Sequence, residues 1–179
     1  MTGWVHAFDQ IQRALGTDDT GPVEIWPEEA GRDAHVSMRY ASGTILKLDM
    51  PEKKGPRMGG IFVGEEGKIE INRNKFTTNP RDFVKNPPAP KLAEKWEGDG
   101  WVAQGHIENW FDSIKSRAKP NADVEIGHRS TSMALLANIS LATESTLHWD
   151  PQRERITNIP EANDLLHYEY RKPWTLEDA

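Results

Sequence analysis

The sequence predicts an α+β domain, an open and mainly antiparallel β-sheet with helices packed on one face. Three observations predict it. Roughly six short alternating segments precede residue 80, joined by turns of about two to ten residues, which is antiparallel spacing. Past residue 104 the apolar period changes from 2 to 3.6. At 179 residues, 36% hydrophobic and 28% charged, the chain is long enough to bury about 70% of the surface its unfolded form exposes. Strands followed by helices make an α+β order rather than a repeated βαβ one. One domain is expected over 1–179, strand-rich over 22–78 and helix-rich over 104–167.

The elements follow in order. Trp4–Leu15 reads as a helix, with Phe8, Ile11 and Leu15 together on one side and Ala7 and Ala14 at their edge. His6, Asp9 and Arg13 share the opposite side, with Gln10 beside them. Gly16 suits the position just past a helix end, and Thr17–Pro22 has turn chemistry. Val23–Trp26 alternates and meets Pro27, which is expected to stop a strand. His35–Tyr40 and Thr44–Met50 flank a glycine turn as a hairpin, with Val36, Met38 and Tyr40 on one face. Ile45, Lys47 and Asp49 share a face of the second strand, with Leu46 and Leu48 opposite. Pro51–Gly60 is too rich in Pro and Gly for a regular element. Ile61–Val63 and Lys68–Asn72 form the clearest hairpin, with a further strand through Lys75–Thr77. Pro80–Val84 suits one helical turn, and Asn86–Trp96 an extended surface excursion.

From His106, the spacing of Ile107, Trp110, Phe111 and Ile114 predicts an amphipathic helix ending before Lys119-Pro120. A second helix is expected from Val124 or Gly127 to Thr143, apolar or small around most of its girth and hence packed on two sides. Leu147–Pro151 and Arg155–Thr157 give two last strand-like segments, and Pro160 begins a short helix. Trp149 and Trp174 are expected to anchor the sheet and the terminus.

Composition narrows the functions. The net charge of −6 and the lack of a basic stripe with interleaved aromatics argue against nucleic acid. Without cysteine there is no disulfide, thiolate zinc site or cysteine nucleophile. His106, His128, His148 and His167 lie in different segments without ligand spacing, so no metal is expected. No apolar run of about 18 residues or leader pattern occurs, so no membrane partner is expected, and the cytoplasm is the expected compartment.

The His6–Asp9–Arg13 face supports two readings. An imidazole is the usual group for moving a proton near neutral pH, and a carboxylate and guanidinium could hold a polar substrate. A solvated helix face fits the same spacing. Gly59-Gly60-x-x-x-Gly64 leads into a hairpin, whereas a dinucleotide loop must open a helix, so it is read as structural. Glu65 and Glu66 are adjacent and point apart, unlike a glycosidase pair.

Several stretches in their order and spacing resemble the C-terminal half of the Gfo/Idh/MocA oxidoreductases, the glucose-fructose oxidoreductase and inositol dehydrogenase family. They are GWVHAFDQI (3–11), GGIFVGEEGKIEI (59–71), HIENWFDSI (106–114), WDP (149–151), EANDLL (161–166) and YRKPW (170–174). The resemblance implies a domain that builds a sugar or polyol cleft and forms a homo-oligomer through its sheet face. Carried over by position, His6 is the catalytic histidine, transferring the proton or orienting the substrate, and Asp9 a substrate-side or supporting carboxylate, while Arg13 is expected to bind substrate from the same helix face. Two features depart from the family pattern. Thr2 stands where the motif has an acid, and Glu52-Lys53-Lys54-Gly55-Pro56 lies in a loop rather than supplying the family's Glu-Lys-Pro lysine. Family members hold NAD(P) in a Rossmann domain preceding this one. No strand–GxGxxG–helix unit occurs here, so no cofactor is expected to bind this chain alone. The chain is therefore expected to be a fragment or truncated product, inactive by itself. The alternative is a stand-alone module that binds carbohydrate or pairs with a separate nucleotide-binding protein, and an independent hydrolase or isomerase using His6 and Asp9 is the third reading.

Overall fold

A computed structural model describes residues 5–31, 34–48, 59–72, 75–83 and 103–175. The elements are α1 (Val5–Leu15), β1 (Glu24–Pro27), β2 (Val36–Arg39), β3 (Ile45–Leu48), β4 (Gly59–Gly64), β5 (Gly67–Asn72) and β6 (Lys75–Asn79). They continue with α2 (Ala103–Ser116), α3 (Val124–Thr143), β7 (Leu147–Asp150), β8 (Arg155–Ile156) and a 3-10 helix, Pro160–Leu166. The mixed, antiparallel architecture is the predicted α+β class. Two compact units are formed, one from residues 1–19 and 51–131, the other from 20–50 and 132–179, with α3 contributing residues to both.

In the second unit the strands run in the order β3-β2-β1-β7-β8. Register puts Leu46, Met38, Ile25 and Leu147 in one cross-strand row. Met38, Ile25 and Leu147 are wholly buried, as are Met133 and Ala137 of α3. The Tyr40 hydroxyl, just past β2, donates to Met133 Sδ at 3.6 Å and ties this face to the helix. Only Thr131, Leu135, Asn138 and Ala142 form an exposed line along that part of α3, so it is packed around most of its girth. The opposite row is Ile45, Arg39, Glu24 and His148. There Arg39 Nε meets Glu24 at 2.9 Å and lies 5.5 Å over the Trp26 ring.

Pro27 is the last residue of β1, as expected, and still pairs with Val36. β7 runs alongside only at Glu24 and Ile25, so the missing Pro27 N–H falls where that side of β1 is an edge. The Asn163 side chain closes the far edge, accepting from Ile156 N at 2.8 Å and donating to Ile156 O at 2.9 Å. Trp149 is buried as expected, but Trp174 is 67% exposed and anchors nothing.

In the first unit β4, β5 and β6 form a separate three-stranded sheet among the described residues. An alternating pattern cannot tell one sheet from two, because every strand has the same period in either. Gly59-Gly60 starts β4 beneath α1. A Cβ on Gly60 would stand 3.2 Å from Ile11 Cγ1, and one on Gly59 only 2.0 Å from the Ile71 carbonyl oxygen. Gly60 thus permits a close helix–strand approach, and Gly59 a close approach to the backbone of β5. α2 begins at Ala103, three residues before His106, where the periodic pattern starts. Its Ile107, Trp110, Phe111 and Ile114 are 44–55% exposed. The predicted loop 51–58 and surface excursion 86–96 lie outside the described residues.

Candidate functional site: the outer face of α1

α1 is positioned by its buried face and by both ends of its last turn. Ala7, Phe8 and Ile11 are buried, while His6, Asp9 and Arg13 are exposed. Gly16 adopts φ 66. Its N–H donates to Arg13 O and that of Thr17 to Gln12 O, at 3.3 and 2.9 Å, which is a Schellman closure. Gln12 breaks the expected polar face, being only 1% exposed. Its Nε2 donates to Thr17 O at 3.0 Å and its Oε1 accepts from the Thr17 hydroxyl at 2.8 Å. The buried amide is satisfied by the turn that ends its own helix.

The three predicted site residues stay on one side of α1, with different surroundings. Asp9 accepts a long hydrogen bond, 3.5 Å, from the wholly buried Ser130 hydroxyl of α3. Arg13 reaches back to Asp18 Oδ2 at 2.6 Å. That bond raises the guanidinium's pKa above its ordinary value, Asp18's charge adding to it and Asp9 contributing least. Its guanidinium is therefore held by the following turn, with N–H groups left over. The exposed His6 ring is at the first turn. An exposed imidazole and carboxylate one turn apart can exchange a proton with a bound hydroxyl and accept a second hydrogen bond.

Sequence reasoning missed Ser130, which is 121 residues from Asp9 and follows no local spacing. Gln10, noted beside the face, has a buried Oε1 with no hydrogen-bond partner. The remaining candidates are separate. Glu65 and Glu66 line a shallow hollow at the β4–β5 turn that includes none of His6, Asp9 and Arg13. Gly59, Gly60 and Gly64 are strand residues of a hairpin. No strand–glycine loop–helix cradle is found among the described residues, which do not fit a dinucleotide. Also among the described residues, no three His, Cys, Asp or Glu side chains gather to hold a metal, and no helix is long and apolar enough to cross a membrane.

A family model described as the oxidoreductase family, C-terminal alpha/beta domain, matches residues 3–176. No curated protein and no solved structure matches the chain.

Proposed function

We propose, on the premise that this chain belongs to the Gfo/Idh/MocA oxidoreductase family as its C-terminal alpha/beta domain, that it forms the substrate side of a sugar or polyol dehydrogenase. NAD(P) is the proposed cofactor of the assembled enzyme, held by a nucleotide-binding domain rather than by the residues described here. Hydride transfer requires a cofactor fixed against the substrate.

The observation that carries this reading is the α1 face, where exposed His6 and Asp9 stand on a helix held by its buried side, by Gly59-Gly60 and by the Gln12–Thr17 turn. In this reading His6 accepts the proton of the substrate hydroxyl being oxidised. Asp9, steadied by Ser130, accepts a hydrogen bond from a neighbouring hydroxyl. Arg13 offers the N–H groups that Asp18 leaves over. The chain also self-associates, in this reading, through the outer face of the five-stranded sheet. Support comes from Trp26 beneath Arg39 and the 47% exposed Ile45, since Trp and Arg are enriched in interface cores.

The test is a kinetic split. In the assembled oxidoreductase His6→Ala lowers kcat by ~10²–10⁴-fold, the usual contribution of a general acid or base. Its melting temperature stays that of the parent, because the side chain is exposed. A loss of stability matching the loss of rate would make His6 structural.

A further inference from the structure

Each partner of the Asp9–Ser130 contact has an arginine close by in sequence, and both arginines are turned onto other acids. Asp9 and Arg13 have the acid-before-base i, i+4 spacing at which helix side chains ordinarily pair. Arg13 turns instead to Asp18 Oδ2 at 2.6 Å, and Asp18 rather than Asp9 is the chief influence on its guanidinium. Arg129, next to Ser130, has both Nε and Nη2 2.7 Å from Glu125 Oε1. Asp9 keeps the Ser130 hydroxyl at 3.5 Å and, among the described residues, no ion pair. The outer face of α1 therefore carries one uncompensated negative charge, in a chain whose net charge is −6.

We propose that this charge is met by the substrate, an amino sugar or aminocyclitol whose ammonium sits on Asp9 while a neighbouring hydroxyl faces His6. The proposal rests on the substrate-face reading above and narrows it. His6 and Asp9 are i, i+3 neighbours with Cβ atoms about 5–6 Å apart and side chains leaning the same way. The hydroxyl and the amine they hold thus belong to adjacent or next-but-one carbons of one ring. A hydroxyl at Asp9 gives one hydrogen bond and no countercharge, whereas an ammonium gives both. Ser130 is oriented for this role. Ser113, Ser116, Thr131 and Thr143 donate to carbonyls four residues back in their own helices. The wholly buried Ser130 donates across to Asp9 Oδ1 instead, which leaves the other carboxylate oxygen for a ligand. The same face discriminates against phosphorylated and acidic sugars, because Asp18 already neutralises Arg13 and Asp9 repels an anion.

NMR titrations of the ¹⁵N-labelled full chain with D-glucosamine, D-glucose and D-glucose 6-phosphate near neutral pH test this. D-glucosamine is expected to shift the His6 and Asp9 resonances and to bind about two- to five-fold tighter than D-glucose at low salt, the factor an exposed ion pair supplies. Added salt shrinks that factor, and D-glucose 6-phosphate binds most weakly. Asp9→Asn brings the ratio of glucosamine to glucose affinity to about one. Asp18→Asn, which releases Arg13, raises affinity for D-glucose 6-phosphate. Amide spectra unchanged away from α1 check that both variants fold. Equal binding of glucosamine and glucose, with both shifting α1, would overturn the proposal and leave the substrate face standing. A preference that survives Asp9→Asn would put the ammonium elsewhere and overturn it as well. If none of the three sugars shifts α1, this proposal and the substrate face fall together.

Discussion

Asp150 shows how a single residue ties local sequence to the fold. It follows the buried Trp149 at the end of β7, and its Oδ1 accepts from both Gln152 and Arg153 N–H groups at 3.0 Å. The Arg153 backbone bond is the chief reason its pKa is lowered from 3.8. A carboxylate whose folded pKa is depressed contributes stability above its ordinary value and loses it as pH falls through the folded one. Asp150→Asn should therefore lower the melting temperature at neutral pH, and the gap from the parent should close as pH drops below 3.8. Melting curves over that range check this, and a gap that persists at low pH would give the turn another source of stability. At this scale the sequence is uneven in what it discloses. The strand segment at Leu147 and the His6, Asp9, Arg13 alignment are readable because both rest on near neighbours. The burial of Gln12 is not, since a polar residue at a helix position gives no hint that the next turn will satisfy it. Ser130 is not readable either, because its bond to Asp9 crosses most of the chain.

Element ends follow backbone rules more faithfully than residue preference. α3 closes as α1 does, with Glu144 N–H donating to Leu141 O and Ser145 N–H to Ser140 O. Here Glu144, not glycine, adopts φ 47. A side chain in the left-handed region costs about 1 kcal/mol or more that glycine does not. Glu144→Gly is thus expected to stabilise the chain by about 0.5–1 kcal/mol, somewhat offset by the unfolded state's added freedom. Chemical denaturation measures it, and a destabilised variant would mean the Glu144 side chain makes a contact outweighing the strain. All six strands before residue 80 and the amphipathic α2 are legible, since each shows its period over several residues. That Pro27, ending β1, still pairs with β2 is not, because proline's tolerance there depends on where β7 stops. Nor does amphipathicity say what covers a stripe. The pattern of α2 promises a buried face, and in the described chain that face remains open.

For the whole molecule, family membership and the α1 face point the same way. The chain belongs to an oxidoreductase family over residues 3–176, and the described residues offer no dinucleotide cradle. The proposed substrate face lies where α1 is held above β4. The overall class is legible in the order of strands and helices, while the division of the strands into two sheets is not, because it is set by which long-range pairings form. The most direct test is a titration of the ¹⁵N-labelled full chain, first with NADH and then with a panel of sugars and polyols, followed by NMR. NADH is predicted to leave the spectrum unchanged, and a sugar or polyol to shift the resonances of His6 and Asp9. Micromolar NADH binding, or sugar shifts confined to residues away from α1, would contradict the account.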